Sequence, residues 1–357
     1  MVNDPPAPEL RRTSPQPRYA ASGRVLVRPE VLPHLAEVDT LIFDIDGVIM
    51  DVTGSMRAVG CDAVRAYLTE IVGWPDRGPL LDTCELELYK LADGFNDDWE
   101  LAGVNALTFL VKAELADTQD AATLRAASPT VAELATAVRA SRGGPSGVRT
   151  LLLDRLDEAA RARVMRAWDF DKIRQIFQEL YAGEDYCPRF YGYHPQHLHV
   201  PGRIALDRPL IRRASIPPAV TKLGIYSGRT WEETRAALEM AGIADVFARE
   251  RVIVVDDGMV KPDPRGLATL VERMAATAAV FVGDMPDDRE AVRRYREERG
   301  AGVEVLDCLV LSGPLGGRPQ AEIRAAGADL IAPDVNVFME WWAQLAAGRQ
   351  ELPTPAA

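Results

Sequence analysis

After about residue 206 the sequence alternates between short apolar runs and segments in which apolar residues recur at helical spacing. This alternation constrains the fold more than any other feature of the chain. Repeated strand–helix units predict a parallel sheet with helices on both faces, so we expect a doubly wound, Rossmann-like α/β core. The predicted strands are 223–226, 252–255, 279–282, 304–309 and 329–331, and the predicted helices are 231–241, 264–275, 287–298, 319–326 and 335–346.

One more strand-like run, 40–43, lies far upstream of these units, and the segment between them has only helical spacing of apolar residues. This arrangement predicts a core domain interrupted by a large helical cap, with an exposed flexible loop at the break 141–145. The helical segments are 56–72, 83–92, 99–116, 129–140, 151–164 and 169–182. The expected units are a Pro-rich N-terminal tail or strap (1–37), the core (38–56 plus 206–345), the cap (57–205) and a C-terminal tail (346–357).

Composition narrows the classes of function. The formal charge is −12, with 53 acidic against 41 basic residues, which disfavours a nucleic-acid partner. No apolar run approaches the roughly 18 residues needed to cross a bilayer, so we expect no membrane partner. The four cysteines are widely spaced and the N-terminus lacks a signal-peptide pattern, so a cytoplasmic location is expected. No motif indicates an oligomeric state.

Polar signals follow four of the predicted strands, three of them directly and the one at Lys261 after a short turn. Because the carboxyl ends of parallel strands meet at one edge of a sheet, these signals are expected to form a single site. Clustered carboxylates repel one another unless a hard cation neutralises them, and oxygen-only ligands favour Mg²⁺. An anionic substrate would account for the lysine, the hydroxyl and the glycine amides, so the pattern favours phosphoryl transfer. The four signals are Asp44-Ile45-Asp46-Gly47, Ser227-Gly228-Arg229, Lys261-Pro262 and Gly283-Asp284-Met285-Pro286-Asp287-Asp288.

These four motifs, in this order and at strand ends, resemble those of the haloacid dehalogenase (HAD) superfamily of aspartate-nucleophile phosphatases and phosphomutases. The matching core segments span about 38–56 plus 206–345, and the helical insert resembles the C1-type cap of subfamily I. A single Asp-x-Asp-Gly motif would be weak evidence, but four motifs in order are specific. The scarcity of lysine adds weight to Lys261, which is one of only five in the chain.

The resemblance implies a role for each matching residue. Asp44 would be the nucleophile that becomes an aspartyl-phosphate, and Asp46 would act as general acid and then general base. Ser227 and the amide of Gly228 would hold the phosphoryl oxygens, and Lys261 would neutralise the nucleophile and the transferred group. Dehalogenating members work without the second aspartate, so its presence favours phosphate-ester chemistry.

The resemblance also implies a Mg²⁺ site. Its ligands would be the Asp44 carboxylate, the Asp46 backbone carbonyl and Asp284. Asp288 would be a further ligand or an anchor behind the ligands, and Asp287 competes with it for that role because the spacing alone leaves both open.

Substrate contacts are harder to assign from the sequence. Asn96 and Trp99 lie in a polar break between two cap helices and are candidates for substrate binding, although a capped turn with a packed tryptophan explains the break equally well. Arg229 either binds substrate or pairs with a nearby acid. Three histidines at 194, 197 and 199 lack a fourth ligand nearby, which favours an ordinary loop over a zinc site.

We therefore expect a Mg²⁺-dependent phosphatase that acts on a small phosphorylated metabolite beneath a closing cap. One alternative is a phosphomutase resembling β-phosphoglucomutase, which would share every core residue. The other is a non-catalytic protein that binds a phosphorylated ligand, which the intact set of Asp44, Asp46, Lys261 and Asp284 disfavours.

Overall fold

The computed structural model describes residues 17–76, 78–92, 94–95, 97–141, 143–218, 222–299 and 302–348. The strands in this part of the chain are β1 (Ala20–Ser22), β2 (Val25–Val27), β3 (Thr40–Phe43), β4 (Met50–Asp51), β5 (Arg208–Pro209), β6 (Lys222–Tyr226), β7 (Val252–Ile253), β8 (Ala278–Gly283), β9 (Glu304–Val310) and β10 (Leu330–Ala332). The helices are α1 (Leu32–Leu35), α2 (Ala58–Ala66), α3 (Thr83–Lys90), α4 (Asp98–Ala116), α5 (Ala121–Ala126), α6 (Val131–Ser141), α7 (Gly144–Leu153), α8 (Glu158–Ala167), α9 (Phe170–Tyr191), α10 (Trp231–Met240), α11 (Pro264–Arg273), α12 (Pro286–Arg299), α13 (Gln320–Ala325) and α14 (Val335–Ala346).

The main sheet has eight strands in the order β1-β2-β10-β9-β8-β3-β6-β7. Strand β3 lies between β6 and β8 and is parallel to both, with Phe43 opposite Ile225 on one side and Val282 on the other. Thr40–Phe43 is completely buried, which is expected for a strand covered by helices on both faces. The predicted α/β class is confirmed, and the sequence-based strands β3, β6, β8 and β9 agree with the structure to within one residue at each end.

The N-terminal segment differs from the predicted tail over residues 20–35. Strands β1 and β2 form a hairpin, and β2 pairs antiparallel with β10, so this segment extends the sheet. Val25 and Val27 are fully buried, and the indole Nε1 of Trp341 donates a hydrogen bond to Ser22 Oγ at 2.9 Å. The first strand, Ala20-Ala21-Ser22, has no large apolar side chain, so the pattern in the sequence does not reveal the hairpin.

Helices α2–α9 lie between β4 and β5 and form the inserted helical segment, in which α2, α4 and α9 pack against one another. Two details differ from the sequence-based prediction. The helix predicted over 151–164 is two helices, because Asp157 caps the start of α8 by accepting a hydrogen bond from the Ala160 amide at 2.8 Å. Helix α7 begins inside the predicted loop 141–145, where Pro145 occupies the first turn.

The two chain segments that connect the helical insert to the core pair with each other. Strand β4, on the outgoing linker, is antiparallel to β5, on the return linker, with Met50 opposite Pro209 and Asp51 opposite Arg208. The Leu210 amide also donates to the Ile49 carbonyl at 2.8 Å. Entry to and exit from the insert are therefore tied together beside the carboxyl edge of the main sheet. None of the helices in the described residues combines the length and the apolar character that a membrane crossing requires.

Candidate active site

The carboxyl edge of the sheet brings three aspartates together. Asp44 directly follows β3, Asp284 directly follows β8, and Asp288 lies in the first turn of α12. Each contributes a carboxylate oxygen, and these oxygens lie within 4.8 Å of one another. All three side chains are buried. Within the described residues, this is the group of side chains with the spacing of a metal site, and carboxylate oxygens suit a hard divalent cation.

Lys261 lies between two of these carboxylates, in the turn that leads from β7 to α11. Its Nζ is 2.7 Å from Asp44 Oδ2 and 2.7 Å from Asp288 Oδ1. The other oxygen of Asp288 accepts hydrogen bonds from the backbone amides of Asp284 at 3.1 Å and Met285 at 3.0 Å. Asp288 is therefore engaged on both oxygens, and it holds both the lysine and the turn that carries Asp284.

The Asp284 carboxylate is different, because both of its oxygens are buried and neither has a hydrogen-bond partner. Two glycines make room for it: a Cβ at Gly47 would lie 2.0 Å from Asp284 Oδ2, and a Cβ at Gly313 would lie 1.9 Å from the same oxygen. Gly47 also has a φ of +73°, which side chains disfavour. A buried, unpartnered carboxylate is costly, so these oxygens fit a cation ligand.

The charges of this cluster do not balance. Burial raises the pKa of Asp44 to about 7, and the nearby Lys261 ammonium opposes this shift. Burial, reinforced by the charges of Asp288 and Asp44, raises the pKa of Asp284 well above its ordinary value. Burial alone would lower the pKa of Lys261, but the two carboxylates beside it raise that pKa. With all three carboxylates ionised, the single ammonium would leave two negative charges uncompensated, which a divalent cation would match.

A second buried cluster forms around Arg229, in the loop that follows β6. Its Nε donates to Asp46 Oδ1 at 2.8 Å, and its Nη2 donates to Asp207 Oδ2 at 3.1 Å. Asp207 also accepts hydrogen bonds from Tyr181 Oη at 3.1 Å and from Ser55 Oγ. The side chain of Arg229 is 1% exposed and that of Asp207 is fully buried, whereas that of Asp46 is 31% exposed. Of the two alternatives for Arg229, pairing with an acid is what the structure contains.

Ser227 and Gly228 follow β6 directly. Ser227 is buried, and its Oγ accepts a hydrogen bond from the Arg229 amide at 3.3 Å. Among the described residues, those that line the cavity above the sheet edge include Gly228 and Arg229 but not Ser227. The role of Ser227 as a holder of phosphoryl oxygens stays a prediction.

The helical insert covers this edge and leaves a cavity of about 100 Å³. Trp99, in the first turn of α4, lines the cavity, and the Arg174 guanidinium lies 6.0 Å from the centre of its ring. The other substrate candidate of this loop, Asn96, lies outside the described residues. Two basic residues of the insert also line the cavity: Lys90 pairs with Asp98 at 2.8 Å, and Arg57 pairs with Glu87 at 2.9 Å.

Asp287 and Asp288, which the sequence spacing leaves as equal candidates for the cluster, have different contacts in the structure. Asp288 points into the carboxylate cluster, whereas Asp287 accepts a hydrogen bond from the backbone amide of Gly94 at 2.9 Å. Gly94 belongs to the polar break of the insert, so Asp287 links the core to the loop above it. Two adjacent aspartates on α12 therefore face different parts of the site.

Several residues of the site are absent from the sequence-based prediction. Ser312 Oγ donates to the Gly47 carbonyl at 2.6 Å, and Gly313 abuts Asp284. Both follow the predicted strand 304–309, so the strand-end rule would have found them. Asp207 and Tyr181 had no such signal, because they lie in an irregular linker and in a long helix. Of the loop histidines, the exposed His199 has its Nδ1 3.1 Å from Glu184 Oε1, whereas the Nε2 of His197 is buried without a hydrogen-bond partner.

Comparison with known proteins finds solved structures of similar fold. No protein-family model matches the chain, and no curated protein sequence matches it. Among solved structures, the chain is similar to phosphatase Tt82 from Thermococcus thioreducens, with 21% sequence identity, a TM-score of 0.52 and coverage of 86% of this chain and 99% of that one. It is also similar to an X-ray structure from the Northeast Structural Genomics Consortium, with 15% identity, a TM-score of 0.54 and coverage of 87% and 99%. Both are matched over almost their whole length.

Proposed function

The chain has the haloacid dehalogenase fold, and from this premise we propose that it is a Mg²⁺-dependent phosphomonoesterase that works through an aspartyl-phosphate. The phosphatase named among its structural relatives supports the reaction class. One observation carries the proposal: Asp44 lies against Lys261 on one side and close to the unpartnered oxygens of Asp284 on the other. In this proposal Asp44 is the nucleophile, with the Lys261 ammonium on one side and a site for a divalent cation on the other.

The residues present fit a bound Mg²⁺. Asp44 and Asp284 would hold the ion together with the backbone carbonyl of Asp46, and Asp288 would orient the ligands from behind because both of its oxygens are already engaged. When bound, the ion supplies charge neutralisation to the nucleophile and to the phosphoryl group. The unpartnered oxygens of Asp284 are the feature that fits it best.

The protein's own residues would carry the chemical steps. Asp44 Oδ attacks phosphorus, and the Lys261 ammonium, 2.7 Å from that carboxylate, offsets the charge that develops on the transferred group. Asp46 protonates the leaving oxygen in the first step and removes a proton from water in the second. Its partial exposure to the cavity gives it access to both.

The helical insert would set the substrate class. It leaves a small cavity lined by two aromatic side chains, Trp99 and Phe177, and by basic groups that include Lys90 and Arg57, whose charges are already paired with acids. Such an enclosure excludes bulk water and favours a small phosphorylated metabolite over a phosphorylated protein.

A phosphatase screen tests this function. The purified protein is incubated with Mg²⁺ and with sugar, amino-acid, nucleotide and cofactor-precursor phosphates, and released phosphate is measured. We expect turnover of at least one ester and its loss in Asp44→Asn. The matched control is Asp329→Asn, which changes another buried, ion-paired aspartate at the amino end of β10 and should retain turnover. Absence of turnover across the whole panel would contradict the proposal.

The same screen separates hydrolysis from phosphoryl transfer between hydroxyls. A phosphomutase would convert a hexose phosphate into its isomer without releasing phosphate, because the sugar rather than water would take the phosphoryl group from Asp44. Isomer formation, followed by NMR of the reaction mixture, would replace the phosphatase proposal with the mutase.

A further inference from the structure

Both linkers of the helical insert meet at a single buried carboxylate. Asp207 lies on the return linker, immediately before β5, and accepts a hydrogen bond from Ser55 Oγ on the outgoing linker. Its other oxygen accepts from Tyr181 Oη, on α9 of the insert, and from Arg229 of the core. The position of Asp207 is therefore set by its own linker, by Ser55 of the outgoing linker and by Tyr181 of α9. Arg229 connects Asp207 to the core.

Arg229 contacts both Asp207 and Asp46, so the position of Asp207 affects the position of Asp46. Its guanidinium is a rigid planar fork, so the directions of its Nε and Nη2 donors are fixed relative to each other. Asp46 Oδ1 accepts from Nε at 2.8 Å and lies 2.7 Å from Nη2, and Asp207 Oδ2 accepts from the same Nη2 at 3.1 Å. A displacement of Asp207 therefore rotates or breaks the hydrogen bonds that hold the Asp46 carboxylate.

Stability alone is a poor reason for such an arrangement. Taking an arginine and a carboxylate out of water is expensive, and buried ion pairs are often replaced by apolar side chains without loss of stability. The partly exposed end of the network is Asp46, at the cavity, and its fully buried end is Asp207, at the linkers. The hydrogen bonds thus connect the two linkers of the insert to Asp46, the proposed acid–base residue.

We propose that Asp207 and Arg229 are positioning residues that hold Asp46 for proton transfer and make its placement depend on the seating of the insert. The proposal rests on the phosphomonoesterase function above, in which Asp46 protonates the leaving group. It assigns the acid–base step to a unit of three residues, of which the sequence motifs contain two.

The proposal has a kinetic signature that a purely structural role lacks. The value of kcat/KM reports the steps up to formation of the phosphoenzyme, in which Asp46 acts as the acid. An alkyl phosphate needs that proton because alkoxide is a poor leaving group, whereas p-nitrophenyl phosphate does not need it. A misplaced Asp46 therefore slows the alkyl ester selectively, while a general loss of folded protein slows both esters equally.

The experiment compares Asp207→Asn with wild type on an alkyl phosphate and on p-nitrophenyl phosphate in the presence of Mg²⁺. We expect kcat/KM to fall by about 10²-fold for the alkyl ester, within the usual contribution of acid–base catalysis, and by less than about threefold for the aryl ester. Tyr181→Phe, which removes one hydrogen bond to Asp207 and keeps its charge, should give a smaller loss with the same selectivity. Asp329→Asn serves as the matched control and should show no selectivity.

The outcomes are distinct. Equal losses for both esters, or no loss for either, in a variant with wild-type thermal stability would overturn the positioning role and leave the phosphatase function intact. If Asp207→Asn does not fold, the selectivity of Tyr181→Phe decides the question alone. A wild-type protein that hydrolyses neither ester would contradict the proposed function, and the positioning role with it.

Discussion

The site contains two clusters in each of which one buried basic residue pairs with two aspartates. Lys261 lies 2.7 Å from both Asp44 and Asp288, and Arg229 lies 2.8 Å from Asp46 and 3.1 Å from Asp207. The lysine cluster is built wholly from strand ends and helix starts of the core. The arginine cluster takes one of its aspartates from the linker of the helical insert.

The chemistry of the two cations matches this difference. The lysine ammonium is a compact charge that neutralises whatever lies around it, with little directional demand. The guanidinium is a planar fork that imposes directions on its partners. The lysine cluster is therefore suited to offsetting charge at Asp44, the proposed nucleophile, and the arginine cluster to setting the orientation of Asp46, the proposed acid–base residue.

The first prediction compares the two clusters by replacing the basic side chain of each one with methionine. Lys261→Met should lower kcat/KM by about 10³-fold or more for every phosphate ester, because the charge opposite the transferred phosphoryl group is lost. Arg229→Met should lower it by about 10²-fold for alkyl esters and much less for p-nitrophenyl phosphate. Steady-state kinetics on both esters measure this contrast. The same leaving-group dependence in both variants would remove the functional distinction between the clusters.

The second prediction uses the adjacent aspartates of α12 as a matched pair. Asp288→Ala releases both Lys261 and the Asp284 turn, and it should lower kcat by about 10²-fold. Asp287→Ala removes the acceptor of the Gly94 amide, a contact between core and insert, and it should raise KM by less than about tenfold with kcat nearly unchanged. Comparable losses of kcat in the two variants would refute the proposed division of roles between these aspartates.

The third prediction concerns the space around Asp284. Gly313→Ala places a methyl group against Oδ2, so the carboxylate must shift, and the affinity for Mg²⁺ should fall by about tenfold or more. Titration calorimetry with Mg²⁺ measures this change directly. The control is Gly54→Ala, whose added methyl group would have its nearest neighbour at 3.9 Å and should leave the affinity unchanged. Unaltered affinity in Gly313→Ala would exclude Asp284 as a ligand.

Much of the fold was predictable because the core obeys simple patterns. Buried parallel strands read as apolar runs that end at polar residues, and β3, β6, β8 and β9 were located from that signal alone. The pattern does not reveal the hairpin β1–β2, because β1 (Ala20–Ser22) has no large apolar side chain. The break between α7 and α8 was missed for a different reason: a single capping aspartate, Asp157, interrupts an otherwise continuous helical spacing.

The site residues that lie at the ends of predicted strands could be predicted from the sequence. Asp44, Lys261, Asp284 and Asp288 follow or adjoin predicted strands, and the structure brings them together. Which of the two α12 aspartates joins the cluster depended on the rotation of the helix about its axis, which the spacing does not encode. Trp99 does line the cavity, but its place there depends on how the insert seats over the sheet.

The sequence by itself determined the α/β core, its interruption by a helical insert, and the lysine-centred cluster, because hydrophobic periodicity and parallel-strand topology bring strand ends to one edge. Only the tertiary structure decided the arginine-centred cluster. Asp207, Tyr181 and Ser55 are separated along the chain by up to 152 residues and share no motif. They meet because the two linkers pair as β4 and β5 and because α9 packs beside them, and a buried arginine then requires the carboxylate that this packing supplies.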